Sequence, residues 1–325
     1  MPRKHPARSP FPGPAKIDPK ASWVSVPQWP ARWVRPPEGV TPPFAGAFRL
    51  VLELEEETTL RFALTADERY ELLVDGELID RGPDRGTAMH WNYSNYELEL
   101  DAGRHVLLCR LWALGPMAPA AQVSVRPGLL VAGFGEAHEM VSTGEAPWQW
   151  QVNKGWACED ASMVGPGERI DYRRESDGWL TGEGGEWTDP RDGRHGNNGF
   201  ELYPKGRRLL FPSLLPAQRR TAAPVLIAAD DARELGSRWG AEGSSLELPL
   251  EVPSHTRHRF LLDLGKYRCG RLQLDVSGGR SATVKTVWSE AAYFGDRRPE
   301  EAEGGGPPQG CKDRRDEWRE GFIRG

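Results

Sequence analysis

Sugar recognition by a β-rich protein needs aromatic faces that stack on C–H surfaces and a few polar groups that fix orientation. The run His90-Trp91-Asn92-Tyr93-Ser94-Asn95-Tyr96 offers rings and amides at close spacing, and Trp91 and Tyr93 are its candidate carbohydrate-binding pair. The competing reading packs the same two rings against another protein surface. Trp148, Trp150, Trp156, Trp179 and Trp187 carry the same ambiguity, with docking onto a further domain as the favoured reading. Hydrolysis of a sugar linkage needs two carboxyl groups flanking the bond. With 47 acidic residues some pair will meet the required spacing by chance. Glu290, at the end of a strand pattern, is the one tempting single candidate, and the plainer reading is a solvent-facing strand carboxylate. No catalytic residue is assigned.

Other chemistries find little support. His255 and His258 are three positions apart in a Pro-, Ser- and Thr-containing segment beside strands, where both face one side only across a turn. No HExxH, EF-hand loop or Walker A lysine is present. Gly133-Phe134-Gly135 lacks the third glycine and the following helix of a dinucleotide site. No nucleophile elbow occurs. Cys109, Cys158, Cys269 and Cys311 show no CxxC spacing, and Cys109 and Cys269 sit in apolar strand patterns as small hydrophobes. Neither a metal nor a cofactor is expected.

The net charge of −5, from 42 basic and 47 acidic residues, lacks the basic footprint of a nucleic-acid binder. No stretch approaches the ~18–20 apolar residues of a membrane span. The first twenty residues are basic without a following apolar run, unlike a secretory signal, so a cytoplasmic location is expected.

The elements that would position these residues are strands. There are 37 glycines and 28 prolines, a turn-former content that favours short strands and many loops over long helices. Residues 48–54 alternate Phe48, Leu50, Leu52 and Leu54 against Arg49, Val51 and Glu53, the period-2 mark of a half-buried strand. Residues 60–64, 70–74, 78–79, 96–100, 105–112, 122–125 and 128–134 continue the series. Asp75-Gly76 and Asp101-Ala102-Gly103 mark turns. The tryptophans at 23, 29 and 33, among prolines that forbid a helix, predict an extended segment pinned to a sandwich. Residues 140–220 read as long loops with a few strands, and residues 207–215 as a strand leading to a linker. Residues 230–235 read as a helical turn or two, and 246–252 as a strand. Residues 271–276 and 282–288, around Ser277-Gly278-Gly279, predict a hairpin, and 313–322 a short charged helix. The expected architecture is all-β: two antiparallel, jelly-roll-like β-sandwiches with long loops and little helix. Residues 1–22 form a disordered Pro-rich arm, 23–215 a first sandwich with long Trp-rich loops, and 216–325 a second sandwich, incomplete at its C-terminus.

Four groups of residues carry a family resemblance. Ala63-Leu64-Thr65-Ala66-Asp67 leads to Arg69-Tyr70-Glu71-Leu72 and Val74-Asp75-Gly76. Gly82-Pro83 precedes Tyr96 and Gly103-x-His105-Val106-Leu107. Trp148 is followed by Arg207, Leu209, Leu210 and Pro212. Leu262-Asp263-Leu264-Gly265 precedes Gly270-x-Leu272 and Glu290. In order and spacing, over about residues 22–320, these resemble the N-terminal, non-catalytic part of bacterial α-L-rhamnosidases, glycoside hydrolases whose catalytic domain is a toroid of α-hairpins. The resemblance implies an inverting mechanism whose acid and base belong to that toroid. The family's acidic catalytic run and the toroid's long helices are absent here. Asp75 stands where Asn is usual, and Lys266 to Cys269 departs from the small polar residues of the pattern. The resemblance implies an accessory sandwich that supports a catalytic barrel, inactive by itself, from a truncated gene product or with the catalytic part on a separate chain. A rhamnose-containing oligosaccharide and a catalytic-domain chain are the partners expected. The alternatives are a free-standing carbohydrate-binding module, and an interaction protein docking a partner through a Trp-rich surface.

Overall fold

The structure is a computed structural model of the 325-residue chain. It describes residues 3–5, 28–160, 165–198, 209–215, 226–229, 252–257, 260–263, 274–279 and 281–286. Two compact units divide the chain, Met1–Arg219 and Arg220–Gly325. The fold is all-β: among the described residues, helix is limited to α1 (Ala137–Val141) and a 3-10 turn at Gly115–Met117.

The first unit holds β1 (Arg3–His5), β2 (Gln28–Arg35), β3 (Phe44–Leu54), β4 (Thr58–Asp67), β5 (Arg69–Val74), β6 (Glu77–Gly82), β7 (Trp91–Leu100), β8 (Gly103–Ala113), β9 (Gly128–Gly133), β10 (Gln149–Val152), β11 (Trp156–Glu159), β12 (Gly167–Ile170), β13 (Arg191–Asn198) and β14 (Leu209–Pro212). One sheet is antiparallel, in the order β10-β3-β8-β5-β6. The other runs β1-β7-β14-β13-β2-β9-β4, and β7 pairs again with β4. Six strands therefore close into a ring, with β1 added along β7. The strand β14 is parallel to both its neighbours, β13 and β7, a departure from the all-antiparallel expectation.

Period-2 alternation builds three apolar layers. Phe48, Leu50 and Leu52 of β3, Leu107, Cys109 and Leu111 of β8, Phe62 and Leu64 of β4, and Leu98 and Leu100 of β7 meet in the main core between the sheets. The opposite faces are buried as well. Ala63, Leu130 and Ala132 point into the ring with Trp29, Trp33, Trp91, Tyr93 and Leu210. Ala45, Ala47, Leu73 and Leu108 lie on the outer face of the five-stranded sheet, under Trp156 and Trp179. Strands buried on both faces lose the polar alternation of a solvated strand, which is why β9 reads GLLVAG with every residue buried.

The Asp75-Gly76 turn joins β5 to β6, with φ of 51° and 80° at the two residues, the left-handed pair that a two-residue hairpin demands. The segment of Trp29 and Trp33 is strand β2, as the prolines and tryptophans predict. The strand expected at 122–125 is instead a loop. Its Val125 N–H and the next one, of Arg126, donate to the buried Asp67 carboxylate at 2.8 and 2.7 Å rather than to a neighbouring strand.

In the second unit the described strands are β15 (Leu226–Ala229) and β16 (Phe260–Asp263), an antiparallel pair. The described part of the expected 271–288 hairpin, residues 274–279 and 281–286, carries no strand, and Leu274, Val276 and Val284 are exposed. Residues 1–2, 6–27, 230–251, His258, Glu290 and the segment 313–322 lie outside the described residues.

Candidate functional site

The ring closure decides the fate of the predicted sugar-binding pair. Trp91 and Tyr93 are 4% and 1% exposed. The N-terminal half of β7 pairs with β14, Trp91 opposite Leu210 and Tyr93 opposite Pro212, which turns both side chains into the ring. There the Tyr93 ring meets Trp29 edge to face at 4.8 Å, and the Trp91 indole donates to Ala66 O at 3.2 Å. Neither ring presents a face to a sugar in this arrangement, and both pack within their own unit rather than against another protein surface. The Trp-rich surface is corrected on the same ground. Trp148, Trp150, Trp156 and Trp179 are buried within the unit, and Trp187 is partly buried. Trp148 donates to Val141 O at 2.9 Å, and Trp150 packs against Phe44 and Phe48 in the main core. Of the histidine pair, His255 sits in an exposed turn. No group of three metal-ligating side chains converges among the described residues.

Among the described residues of the first unit three carboxylates are buried, and each has a structural partner set. Asp67 accepts from Ser124 Oγ at 2.7 Å besides the two backbone N–H groups already described. Glu68 accepts from Leu114 N and Gly115 N at 2.9 and 3.0 Å and from the Gln122 amide. Burial pushes the Glu68 carboxyl up, and those hydrogen bonds oppose it. Together the two acids moor the loop between β8 and β9. The contact between Ser142 and His138 is likewise structural. Ser142 is fully buried, its Oγ accepts from Gly133 N at 3.0 Å and shares a hydrogen bond with His138 Nδ1 at 2.8 Å, across the end of α1.

The third acid, Glu71, belongs to a different environment. It lies on the outer face of the five-stranded sheet, opposite Arg81 of β6 on one side and Arg110 of β8 on the other. Its two oxygens accept from Arg81 Nε at 2.6 Å and Arg110 Nη2 at 2.5 Å. Burial alone would raise its pKa, but the two guanidinium groups, Arg110 first, hold it below the usual carboxylate range. The Arg110 guanidinium also lies 5.3 Å from the Trp179 ring centre and 5.8 Å from that of Trp112, and the two indoles meet edge to face at 5.5 Å. Glu175, half-buried nearby, is bonded by the Asn153 side chain and attracted to Arg110, while burial raises its pKa.

The segment that covers this face is pinned at its far end. Arg49 donates to Gln149 Oε1 at 2.9 Å and Gly182 O at 2.8 Å, with its guanidinium 4.4 Å from the Trp187 ring centre. Arg104 pairs with Glu183. The near end stays partly open: Arg81 retains 24% side-chain exposure on the edge strand, and Trp112 and Glu175 are partly accessible. This face combines indole rings, guanidinium donors and carboxylate acceptors, the chemistry that binds polyhydroxylated or anionic ligands. Sequence reading missed it because Glu71 and Arg110 occupy the polar phase of their strands and pass for solvent-facing charges. The available signal was the hairpin turn, which folds Arg81 back toward Glu71.

No family model matches the chain, and no curated protein matches it. Among solved structures it is similar to a GH78 family rhamnosidase of Bacillus sp. GL1, at 23% identity and a TM-score of 0.48, over 59% of this chain and 20% of that one. It is similar to an α-L-rhamnosidase from Dictyoglumus thermophilum at 18% identity and a TM-score of 0.41, over 63% and 24%. A lectin from Pleurotus ostreatus shares 15% identity at a TM-score of 0.30, over 50% of this chain and 49% of the lectin. The chain thus spans no more than about a quarter of the length of these two rhamnosidases.

Proposed function

We propose that this chain is an accessory β-sandwich of an α-L-rhamnosidase-like glycoside hydrolase, without hydrolytic activity of its own, whose work is to support a catalytic barrel on which the acid and base reside. The observation that carries this reading is that residues matching the family pattern, far apart in sequence, are in mutual contact. Tyr70 and Tyr96 join hydroxyl to hydroxyl at 2.8 Å, and Tyr96 donates to Asp80 Oδ2 at 2.8 Å. Gly82 lies so close to Tyr70 that a Cβ there would fall 2.6 Å from its hydroxyl. Asp75 accepts from Val106 N at 2.8 Å, and its other oxygen meets His105 Nδ1 at 2.7 Å. A pattern whose members build one another's geometry is a structural signature, in keeping with a support role. The buried carboxylates Asp67, Glu68 and Glu71 have structural partners too, which leaves none of them placed as a free acid or base.

The direct test is to incubate the purified chain with an aryl α-L-rhamnoside. No turnover is expected. Turnover that disappears when one carboxylate of this chain is replaced by its amide would overturn the reading. A second reading, a carbohydrate-binding module, is favoured by one specific observation, the partly open face around Glu71, Arg81, Arg110 and Trp112. Titration calorimetry with rhamnose-containing oligosaccharides tests it, and an absence of heat counts against it.

A further inference from the structure

We propose that the outer face of the five-stranded sheet, around Arg110, binds an acidic saccharide, a sugar ring carrying a carboxylate. The inference rests on the carbohydrate-binding reading and adds to it a location and a charge preference.

Three observations carry it. The first is the charge on one face. Residues two apart on a strand share a face, so Arg69 and Glu71 of β5 lie together, with Trp112 opposite Arg69 and Arg110 and Arg81 opposite Glu71. Three guanidinium groups thus share this face with one carboxylate, which binds two of them, Arg81 and Arg110, and Glu175 is the further acid in the cluster. An anion fits this balance better than a neutral ligand.

The second is the unmet demand for acceptors. The Nε atoms of Arg69 and Arg110 are buried without a hydrogen-bond partner among the described residues. A buried donor left unpaired is costly, and native proteins seldom leave charged ones so. A carboxylate supplies paired acceptor oxygens in the geometry that a guanidinium fork matches.

The third is the sugar-compatible frame around those donors. Trp112, partly exposed, stands edge to face with the buried Trp179 beside Arg110 and gives apolar ring surface for C–H contact. The Glu175 carboxyl and Gln151 Oε1, which is buried without a hydrogen-bond partner among the described residues, are acceptors for ring hydroxyls on the same side of the sheet. Arg81, on the edge strand, keeps 24% side-chain exposure and marks the partly open end of the face.

The test is calorimetric titration of the whole chain with methyl glucuronide and, as the neutral counterpart, methyl glucoside. Saturable binding of the glucuronide is expected, at least tenfold tighter than the glucoside and weakening with added salt. Arg81→Gln, on the exposed edge, should weaken it at least fivefold while the urea midpoint still reports a folded chain. Should the variants fold poorly, the wild-type protein gives the location: glucuronide should shift the indole N–H resonances of Trp112 and Trp179 and leave those of Trp29 and Trp33 in place. Equal affinity for the two sugars, no heat from the glucuronide, or shifts confined to other tryptophans would overturn the proposal. Saccharide binding that Arg81→Gln leaves unchanged would reject this face while keeping a carbohydrate-binding role. Rhamnoside turnover by the chain bears only on the accessory reading.

Discussion

Two aromatic clusters of the first unit invite comparison: the ring interior, with Trp29, Trp33, Trp91 and Tyr93, and the outer face, with Trp112 and Trp179. Both combine indoles with hydrogen-bonding groups, and only the first was visible as a compact sequence motif. Inside the ring the Trp91 indole donates to a backbone carbonyl, and the aromatic side chains are buried among strands. On the outer face the rings share their surroundings with charged side chains, and one edge reaches solvent. Aromatic density marks burial as readily as recognition. Charged partners and an open edge separate the two.

The largest effect is expected inside the ring. Trp29→Ala should cost about 3–5 kcal/mol, the range for deleting a large buried aromatic. Urea denaturation measures it, and a cost under about 1 kcal/mol would mean that the ring interior is not a core. On the outer face Glu71→Gln leaves two guanidinium groups without their carboxylate. Removing one member of a fully buried ion pair costs about 3–5 kcal/mol, and the partial exposure of both arginines lowers the expectation here to about 2 kcal/mol. Because the folded-state pKa of Glu71 is depressed, its contribution is present above the ordinary carboxylate range and is lost as pH falls through the folded value. Acid unfolding of Glu71→Gln should therefore lack one component that the wild type shows.

Smaller effects sharpen the boundary between the clusters. Gly82→Ala forces a methyl against the Tyr70 hydroxyl, and overpacking of this kind costs about 1–3 kcal/mol. A change in thermal midpoint shows it, and saccharide affinity should be affected less than by Arg81→Gln. The smallest effect is expected at the hairpin tip, where Asp75→Asn should cost about 0.5 kcal/mol, as for an exposed ion pair. The hydrogen bond that His105 donates to the Asp75 carboxylate raises the pKa of His105. That contribution is complete below the unfolded histidine value and fades as pH rises through the folded one. A proton NMR titration of His105 that shows no upward shift in the wild type, or no fall on Asp75→Asn, would contradict the contact.

Much of the sandwich was legible because its main core obeys one local rule. The alternation of β3 and β8 and the Asp75-Gly76 turn each follow from a few neighbouring residues. The ring was not legible, since it depends on pairing between β7 and β14, segments far apart in sequence. A trace of it exists: apolar residues in β7 fall on odd positions at Trp91 and Tyr93 and on even ones at Tyr96, Leu98 and Leu100. That change of phase is what a strand buried on both faces looks like. The strand expected at 122–125 failed because a buried carboxylate, Asp67, competes for backbone donors, and no periodicity reveals such a competitor. The outer-face cluster was missed because partners brought together by strand register look, one at a time, like ordinary surface charges.

The ring closure also sets an order of events in time. Chains are made from the N-terminus, so β2, β4, β7 and β9 exist as partners well before β14 does. Until residues 209–212 emerge, the N-terminal half of β7 and the free side of β13 present unpaired edges beside exposed indoles, the arrangement that invites pairing with another chain. The four residues of β14 act as a late seal. A chain that stopped before Leu209 would retain the main core yet keep that aggregation-prone edge open throughout its life.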